Sequence, residues 1–171
     1  MRNQKGFSLI ELLIVVAIIL IIAAIAIPNL MRAKMAANDS SGAQSLRQIT
    51  TAEIAYYSTY PTIGYPAALT TLGGVSPCTP SIATMCALDN YLATNGGGAG
   101  KSGYNFSATG SPSAGSAIND QFFSTGTPFS AQFGTRAICS VQDGVIRVQP
   151  PGTITLVGGY NACLGLNPLG N

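Results

Sequence analysis

The side chain with the clearest chemical potential in this 171-residue sequence is a carboxylate inside an apolar run. Ser8 and Glu11 are the only polar side chains in the 21 residues from Phe7 to Ile27. A carboxylate within a membrane-spanning segment is costly and by default indicates a function and a partner. Alternatively, Glu11 lies close enough to the start of the run to reach the lipid headgroups. The residues alone favour neither interpretation.

The four cysteines form a second group of potentially reactive side chains. They all follow the apolar run, at positions Cys78, Cys86, Cys139 and Cys163. If that run crosses a membrane, they lie outside the reducing cytoplasm, where disulfides form, and four cysteines allow three pairings. A zinc site is the alternative, but the sequence has no histidine and no Cys-x-x-Cys pair to supply typical ligands.

The other polar residues form no recognisable catalytic motif. There is no histidine base, no G-x-S-x-G and no P-loop, and the glycine-rich run at 96–101 lacks a strand-loop-helix context. Asp89, Asp120 and Asp143 do not follow the spacing of a calcium loop. We therefore expect no enzymatic activity, no metal and no cofactor. The eight Lys and Arg residues are scattered, so no nucleic-acid partner is expected.

The apolar run is the element that must position Glu11. As a helix it would span roughly 32 Å, about one bilayer hydrocarbon core. A cleaved signal peptide usually has a shorter apolar stretch, and a buried helix of this length would need a larger domain around it. Only 8% of residues are charged and 47% are hydrophobic, as expected if membrane or partners cover apolar surface. The sequence thus predicts a membrane span.

Basic residues at the ends of the run predict its orientation. Arg2 and Lys5 precede it, so the positive-inside rule places the N-terminus in the cytoplasm and the chain after Pro28 outside. Arg32 and Lys34 reduce this asymmetry.

The string KGFSLIE at residues 5–11, followed by aliphatic residues up to Pro28, closely resembles the leader and N-terminus of type IV prepilins and of type II secretion pseudopilins. The resemblance covers about the first 60 residues. It implies that a prepilin peptidase cuts between Gly6 and Phe7 and N-methylates Phe7. It also implies that Glu11 neutralises the terminal amine of a neighbouring subunit as helices dock. Attraction in a low dielectric makes that role physically reasonable.

The segment at 28–60 still has helical character. Leu46, Ile49, Tyr56, Tyr57 and Tyr60 recur at helical spacing, with Glu53 interrupting the stripe. Proline removes a helical hydrogen bond, so a kink or local loosening is predicted at Pro28. The polar run at 38–42 is a second predicted weak point, because its residue types favour non-helical backbone. Pro61 is expected to end the helix.

Short strand-like runs follow a loop-rich segment at 61–100. They occupy 103–109, 121–127, 136–140 and 145–148, with Asp143-Gly144 as a tight hairpin signal. The simplest assembly is α+β: the second half of the helix packed on a four-stranded antiparallel sheet, as in the type IV pilin fold. The final hairpin, RAICSVQDGVIRV, also resembles that of pseudopilins of the G/H type. The favoured pairing is Cys78 with Cys86, closing the Pro-rich loop, and Cys139 with Cys163, which the resemblance to pilins implies because pilins commonly tie the tail to a strand in this way.

The sequence therefore predicts a leader at 1–6, a transmembrane and filament-core helix at 7–27, a second helical half at 28–60 and a head at 61–171. The resemblance implies a structural subunit of a type IV pilus, inserted in the inner membrane and then assembled outside the cell. Its partners would be copies of itself, the prepilin peptidase and the inner-membrane assembly platform. Alternatives are a type II secretion pseudopilin or a minor pilin that binds DNA or a surface. An anchored enzyme fits least.

Overall fold

A computed structural model describes residues 6–155 and 158–170 of the chain. Contacts between residues divide it into two compact units, residues 1–34 and residues 35–171. The helix α1, Leu9–Thr59, contributes residues to both. Residues 1–5, which make up most of the predicted leader, lie outside the described part.

The first unit consists of the apolar part of α1. Its large apolar side chains from Phe7 to Met31 are between 46% and 80% exposed. An 18-residue stretch of α1 has a mean hydropathy of 3.3 and no buried residue, so the helix is long and apolar enough to cross a membrane. Pro28 lies inside α1 with helical backbone on both sides, and a kink there stays a prediction. This unit has a surface that only lipid or protein could cover favourably.

The second unit contains a five-stranded antiparallel sheet in which each strand pairs with the next along the chain. The strands are β1 Tyr104–Ser111, β2 Gln121–Pro128, β3 Ile138–Val141, β4 Arg147–Val148 and β5 Asn167–Pro168. Two short helices, α2 Asn90–Ala93 and α3 Tyr160–Leu164, and 3-10 turns at Leu69–Leu72 and Asn95–Gly98 complete it. The predicted α+β class with an antiparallel sheet is confirmed.

The sheet has one strand more than the four predicted. The additional strand, β5, is two residues long and contains Pro168. It therefore lacks the alternating apolar pattern by which a strand is recognised in sequence. Backbone bonding fixes it instead, since the Leu169 N–H donates to the Ile146 carbonyl at 2.7 Å. Tertiary pairing, and not local preference, decides this strand.

The main core lies between the second half of α1 and one face of the sheet. Leu46 and Ile49 of α1 are fully buried and belong to the same cluster as Phe106 of β1 and Ile138 of β3. Burial alternates along β1, as expected for a strand with one face on the core. The register places Gly126 of β2 opposite Phe106, where an added Cβ would lie 2.9 Å from the Phe106 ring. Glycine at 126 therefore leaves the space that the Phe106 ring occupies.

The polar run at 38–42 stays helical, contrary to the weakness predicted for it. Its side chains bind the head. The Asp39 carboxylate accepts from the Tyr104 hydroxyl at 2.6 Å and from the Thr135 N–H at 3.0 Å. Gly42 leaves room for the Tyr104 ring, which an added Cβ would approach to 3.1 Å. Contacts distant in sequence thus compensate for poor helix propensity.

The turn predicted at Asp143-Gly144 connects β3 to β4, although five residues separate these strands instead of two. Gly144 has a φ of +72° and donates its N–H to the Val141 carbonyl at 3.0 Å. Asp143 accepts from the Val145 N–H and forms an ion pair with Arg147, whose hydrogen bond lowers the pKa of the Asp143 carboxyl. The side chain of Asp143 therefore stabilises a longer connection than a two-residue hairpin.

Candidate functional site

The residues around the predicted cleavage point precede the first turn of α1. Gly6 and Phe7 are exposed and non-helical, and the helix begins at Leu9. Phe7 is 76% exposed, and an added Cβ at Gly6 would meet nothing within 4 Å. Among the described residues, nothing shields this bond from a protease. The position of the cut itself stays a prediction.

Glu11 caps the start of α1. Its carboxylate Oε2 accepts from the Ser8 backbone N–H at 3.1 Å, and the Leu12 N–H donates to the Ser8 carbonyl at 3.2 Å. Glutamate three residues after serine is the sequence signature of a capping box, in which the glutamate satisfies the free N–H at the cap. The spacing of Ser8 and Glu11 carries this signal in the sequence itself, although no cap was predicted from it. Glu11 therefore has a local role besides any role between subunits.

An anionic side chain in the first turn also interacts favourably with the helix dipole. Glu11 is exposed in the described structure, so the carboxylate keeps acceptor capacity beyond its bond to Ser8. A positive group on another molecule, such as a terminal amine, could bind it without breaking the cap.

The disulfides join Cys78 to Cys86 and Cys139 to Cys163, with Cα–Cα distances of 6.0 and 6.1 Å. Cys139 lies on β3 and Cys163 on α3, and both are fully buried in a small cluster with Val141. This cluster is separate from the main core. The bond thus fixes α3 against the sheet. The other disulfide spans eight positions of the Pro-rich loop.

Reduction is expected to lower the melting temperature of the head sharply, whereas a calcium chelator should leave it unchanged. A disulfide typically contributes about 2–4 kcal/mol, and more for a longer closed loop. Replacing both Cys139 and Cys163 by alanine should therefore destabilise the head more than the same change at Cys78 and Cys86. Thermal unfolding of both double variants, with and without chelator, measures this.

A thiol titration under denaturing, non-reducing conditions is the accompanying control, and it should detect no free thiol. Two or more reactive thiols would contradict the pairing. A fall of about 10 °C or more with chelator, by mass action of a bound metal, would instead indicate a structural ion. Within residues 6–155 and 158–170, no three carboxylate or cysteine side chains are grouped so as to hold one.

Glu53, which interrupts the apolar stripe of α1, is a buried carboxylate. Its side chain is 0% exposed, and neither carboxylate oxygen has a hydrogen-bond partner among the described residues. Burial raises the pKa of Glu53 to about 8. Tyr56 and Tyr65 are the ionisable groups close enough to interact with it. Glu53 is therefore held as a neutral acid at neutral pH.

Comparison with known protein families identifies a motif in the N-terminal segment. The family model described as the prokaryotic N-terminal methylation motif matches residues 1–27. The N-terminus carries a type IV pilin motif. The resemblance at residues 5–11 is thereby confirmed.

Two curated relatives are type IV pilins. The type IV wide pilus major component PilA4 of Thermus thermophilus is 68% identical over 40 residues, 23% of this chain and 30% of the relative. The type IV major pilin protein PilA of Myxococcus xanthus is 46% identical over 56 residues, 33% of this chain and 26% of the relative. The matched stretch spans less than a third of each relative. No solved structure matches this chain.

The methylation motif covers the apolar run up to Ile27. The long helix and antiparallel sheet are consistent with the α+β type IV pilin fold. Among the predicted residues, Gly6, Phe7 and Glu11 lie within the matched motif. Pro28 follows it directly, and the four cysteines lie in the head.

Proposed function

We propose that this chain is a structural subunit of a type IV pilus. The observation that carries the proposal is the methylation motif on the apolar part of α1, where the large apolar side chains from Phe7 to Met31 are all exposed. A free helix of this kind would remain in the membrane, and a filament offers the same side chains protein partners. The two similar pilins are named as major components of pili, which supports a filament subunit.

The proposed mechanism is assembly. The subunit waits in the inner membrane as a single span with its N-terminus in the cytoplasm. Prepilin peptidase removes residues 1–6 and methylates Phe7, and the assembly platform transfers the subunit into the filament. Within the filament, the Glu11 carboxylate binds the terminal amine of a neighbour while apolar helices pack around both groups. An opposite charge pair in that low dielectric favours the correct register, because an unpaired charge would be expensive.

The mature subunit is expected to begin with N-methyl-phenylalanine at position 7. A six-residue basic leader is too short for an ordinary signal sequence, which has an apolar region of its own. Intact-mass spectrometry of subunits from sheared filaments measures the cut and the added methyl group together. Electron microscopy of the same preparation shows whether the subunit forms filaments.

Replacing Gly6 by a bulkier residue supplies the matched control. Uncleaved precursor should accumulate in the membrane fraction, without filaments, while the head keeps its fold. A mature terminus near Ala36 or Ala37 in the unmodified chain would mean conventional signal processing. That result would overturn the proposal.

A further inference from the structure

Three large aromatic side chains lie exposed around one glycine-rich turn of the head. Tyr91, Phe129 and Phe133 are between 39% and 54% exposed. The Tyr91 hydroxyl donates to the Gly100 carbonyl at 3.0 Å, and the Phe129 ring packs against the same glycine. The Phe129 N–H donates to the Gly103 carbonyl at 3.0 Å, and the Phe133 ring lies beside Gly103. The three side chains thus form one aromatic patch, and a cluster of exposed apolar groups indicates a partner.

The aromatic patch lies at the end of the head where α1 enters it. The Asn38 side-chain amide donates to the Phe133 carbonyl at 2.8 Å, and the Ser41 hydroxyl donates to the Ser102 hydroxyl at 2.9 Å. Asn38 and Ser41 belong to the first turns of α1 within the head unit, which begins at residue 35. The patch is therefore on the side of the head from which the preceding chain extends.

The preceding chain is short enough to keep this end of the head near a lipid surface. Met31 ends the run of exposed large apolar side chains, and Asn38 follows seven positions later. A helix rises about 10 Å over seven residues, little more than the headgroup layer on one side of a bilayer. Arg32 and Lys34 are exposed within this stretch, and their long side chains suit lipid phosphates. A tether of this length gives the head a high effective concentration at the headgroups.

The composition of the aromatic patch suits the same layer. Tyrosine is enriched at membrane–water interfaces, and exposed phenylalanine inserts at the boundary between headgroups and acyl chains. Lys101 and Asp89, which flank the glycine-rich turn, pair with each other at 3.8 Å. The Asp89 carboxylate is thereby partly neutralised, which reduces its repulsion from anionic lipid.

We propose that the aromatic patch docks on the lipid headgroup layer at the membrane from which the head emerges, for as long as the subunit is unassembled. This inference rests on the membrane-inserted precursor of the proposed function. Docking at the patch gives the waiting head a fixed side toward the membrane, and leaving the membrane for the filament requires that contact to break.

A tryptophan introduced into the patch tests the contact, because the chain contains no other tryptophan. The full chain carrying Phe129→Trp is reconstituted into vesicles of phosphatidylethanolamine and phosphatidylglycerol, and flotation of the vesicles measures insertion. A nitroxide on the lipid headgroup is expected to quench the introduced indole. A nitroxide at the end of the acyl chains should quench it much less, since the patch lies in the interface and not in the hydrocarbon core.

Ile82→Trp is the matched control at the other end of the head. Ile82 is also exposed, and its carbonyl accepts from the Tyr56 hydroxyl at 2.8 Å, near the C-terminal end of α1. Tyr56 lies about 27 Å farther along the helix than Asn38. The headgroup nitroxide should therefore leave the indole at position 82 unquenched.

Replacing both Phe129 and Phe133 by serine, with Tyr91→Trp as the reporter, measures the strength of docking. The ratio of docked to free heads should fall about tenfold or more, because two aromatic rings no longer leave water on docking. Both rings lie outside the two apolar clusters of the described head, so the melting temperature should change little. Unchanged quenching in the serine variant would contradict docking through the patch.

The remaining outcomes separate this inference from the proposed function. Vesicles that float with the chain but leave Phe129→Trp unquenched would show that the span inserts while the patch stays in water, which overturns the inference alone. Equal quenching of Phe129→Trp and Ile82→Trp would mean that the head has no fixed side toward the membrane, and would overturn it too. An indole at 129 that is shielded from acrylamide only in assembled filaments would assign the patch to a neighbouring copy. Failure of the chain to float would contradict the membrane-inserted precursor, and the inference with it.

Discussion

Filaments are expected to disappear almost as completely in Glu11→Gln as in Glu11→Ala, although both variants should insert into the membrane normally. Glutamine keeps the hydrogen bond to the Ser8 N–H, which the structure shows for the carboxylate at 3.1 Å. It removes the negative charge, and only the charge can neutralise the terminal amine of a neighbouring subunit. Alanine removes both. The pair of variants thus separates capping of α1 from docking between subunits.

The measurements are membrane fractionation of the precursor and the yield of sheared filaments, taken from the same cultures. Insertion should be unchanged or improved, since a polar group in the span is costly. Ser8→Ala is a useful control, because the Ser8 N–H is a backbone group and the cap bond to Glu11 persists. Normal filaments from Glu11→Gln together with few from Glu11→Ala would assign Glu11 to the cap. Normal filaments from both would mean that Glu11 only reaches the headgroups.

Replacing Glu53 by glutamine is expected to raise the melting temperature of the head at pH 7. The carboxylate is fully buried without a hydrogen-bond partner among the described residues, and its pKa is raised from 4.5 to about 8. Burial of the Glu53 carboxyl therefore lowers the free energy of unfolding at any pH at which this carboxyl is ionised in the unfolded chain. Removing the ionisable group should stabilise the head by roughly 2–3 kcal/mol at pH 7. That corresponds to about 5–10 °C for a domain of this size.

The pH dependence gives the sharper test. Between pH 4.5 and about 8, the folded head keeps the Glu53 proton while the unfolded chain loses it, so folded molecules bind more protons. The free energy of unfolding should therefore be highest below pH 4.5, fall as the pH rises through this window, and level off above about 8. The pKa values of Asp120 and Asp143 are lowered in the folded head, so these carboxyls change the free energy of unfolding at lower pH than Glu53 does. The chain has no histidine to titrate in between.

Thermal unfolding of a fragment from Arg32 to Asn171, measured by circular dichroism from pH 5 to 8.5, follows this effect. The fragment contains every residue of both apolar clusters and all four cysteines. Asp89→Asn is the matched control: it removes one exposed carboxylate, keeps a residue suited to cap α2, and should retain the slope. A slope that persists in Glu53→Gln would show that another group causes it.

Much of this protein follows from its sequence because the N-terminal signals are local. The apolar run, the basic leader and the string at 5–11 predict a membrane-inserted helix with a pilin N-terminus, and the methylation motif matches there. The strand-like runs at 103–109 and 121–127, the Asp143-Gly144 turn signal and the helical spacing of the stripe around Leu46 likewise predict an antiparallel sheet packed on a helix. Side chains on one face recur every two residues in a strand and about every 3.6 residues in a helix. These patterns can be recognised in a sequence without knowing which distant segments come into contact.

Other features were decided only by the tertiary structure. The run at 38–42 has poor helix propensity, yet Asp39 binds Tyr104 and Thr135 from the head, and these partners lie more than 60 residues away in sequence. The fifth strand exists because Leu169 pairs with Ile146.

Burial is the other property that only the folded chain determines. Glu53 stands where the stripe predicts an apolar residue, but whether it would turn outward or remain inside depends on what covers it. The Gln149 Nε2, which has no hydrogen-bond partner among the described residues, is also enclosed by segments that meet only on folding. Local sequence specifies which elements form, and long-range packing decides which polar groups are enclosed and so acquire unusual chemistry.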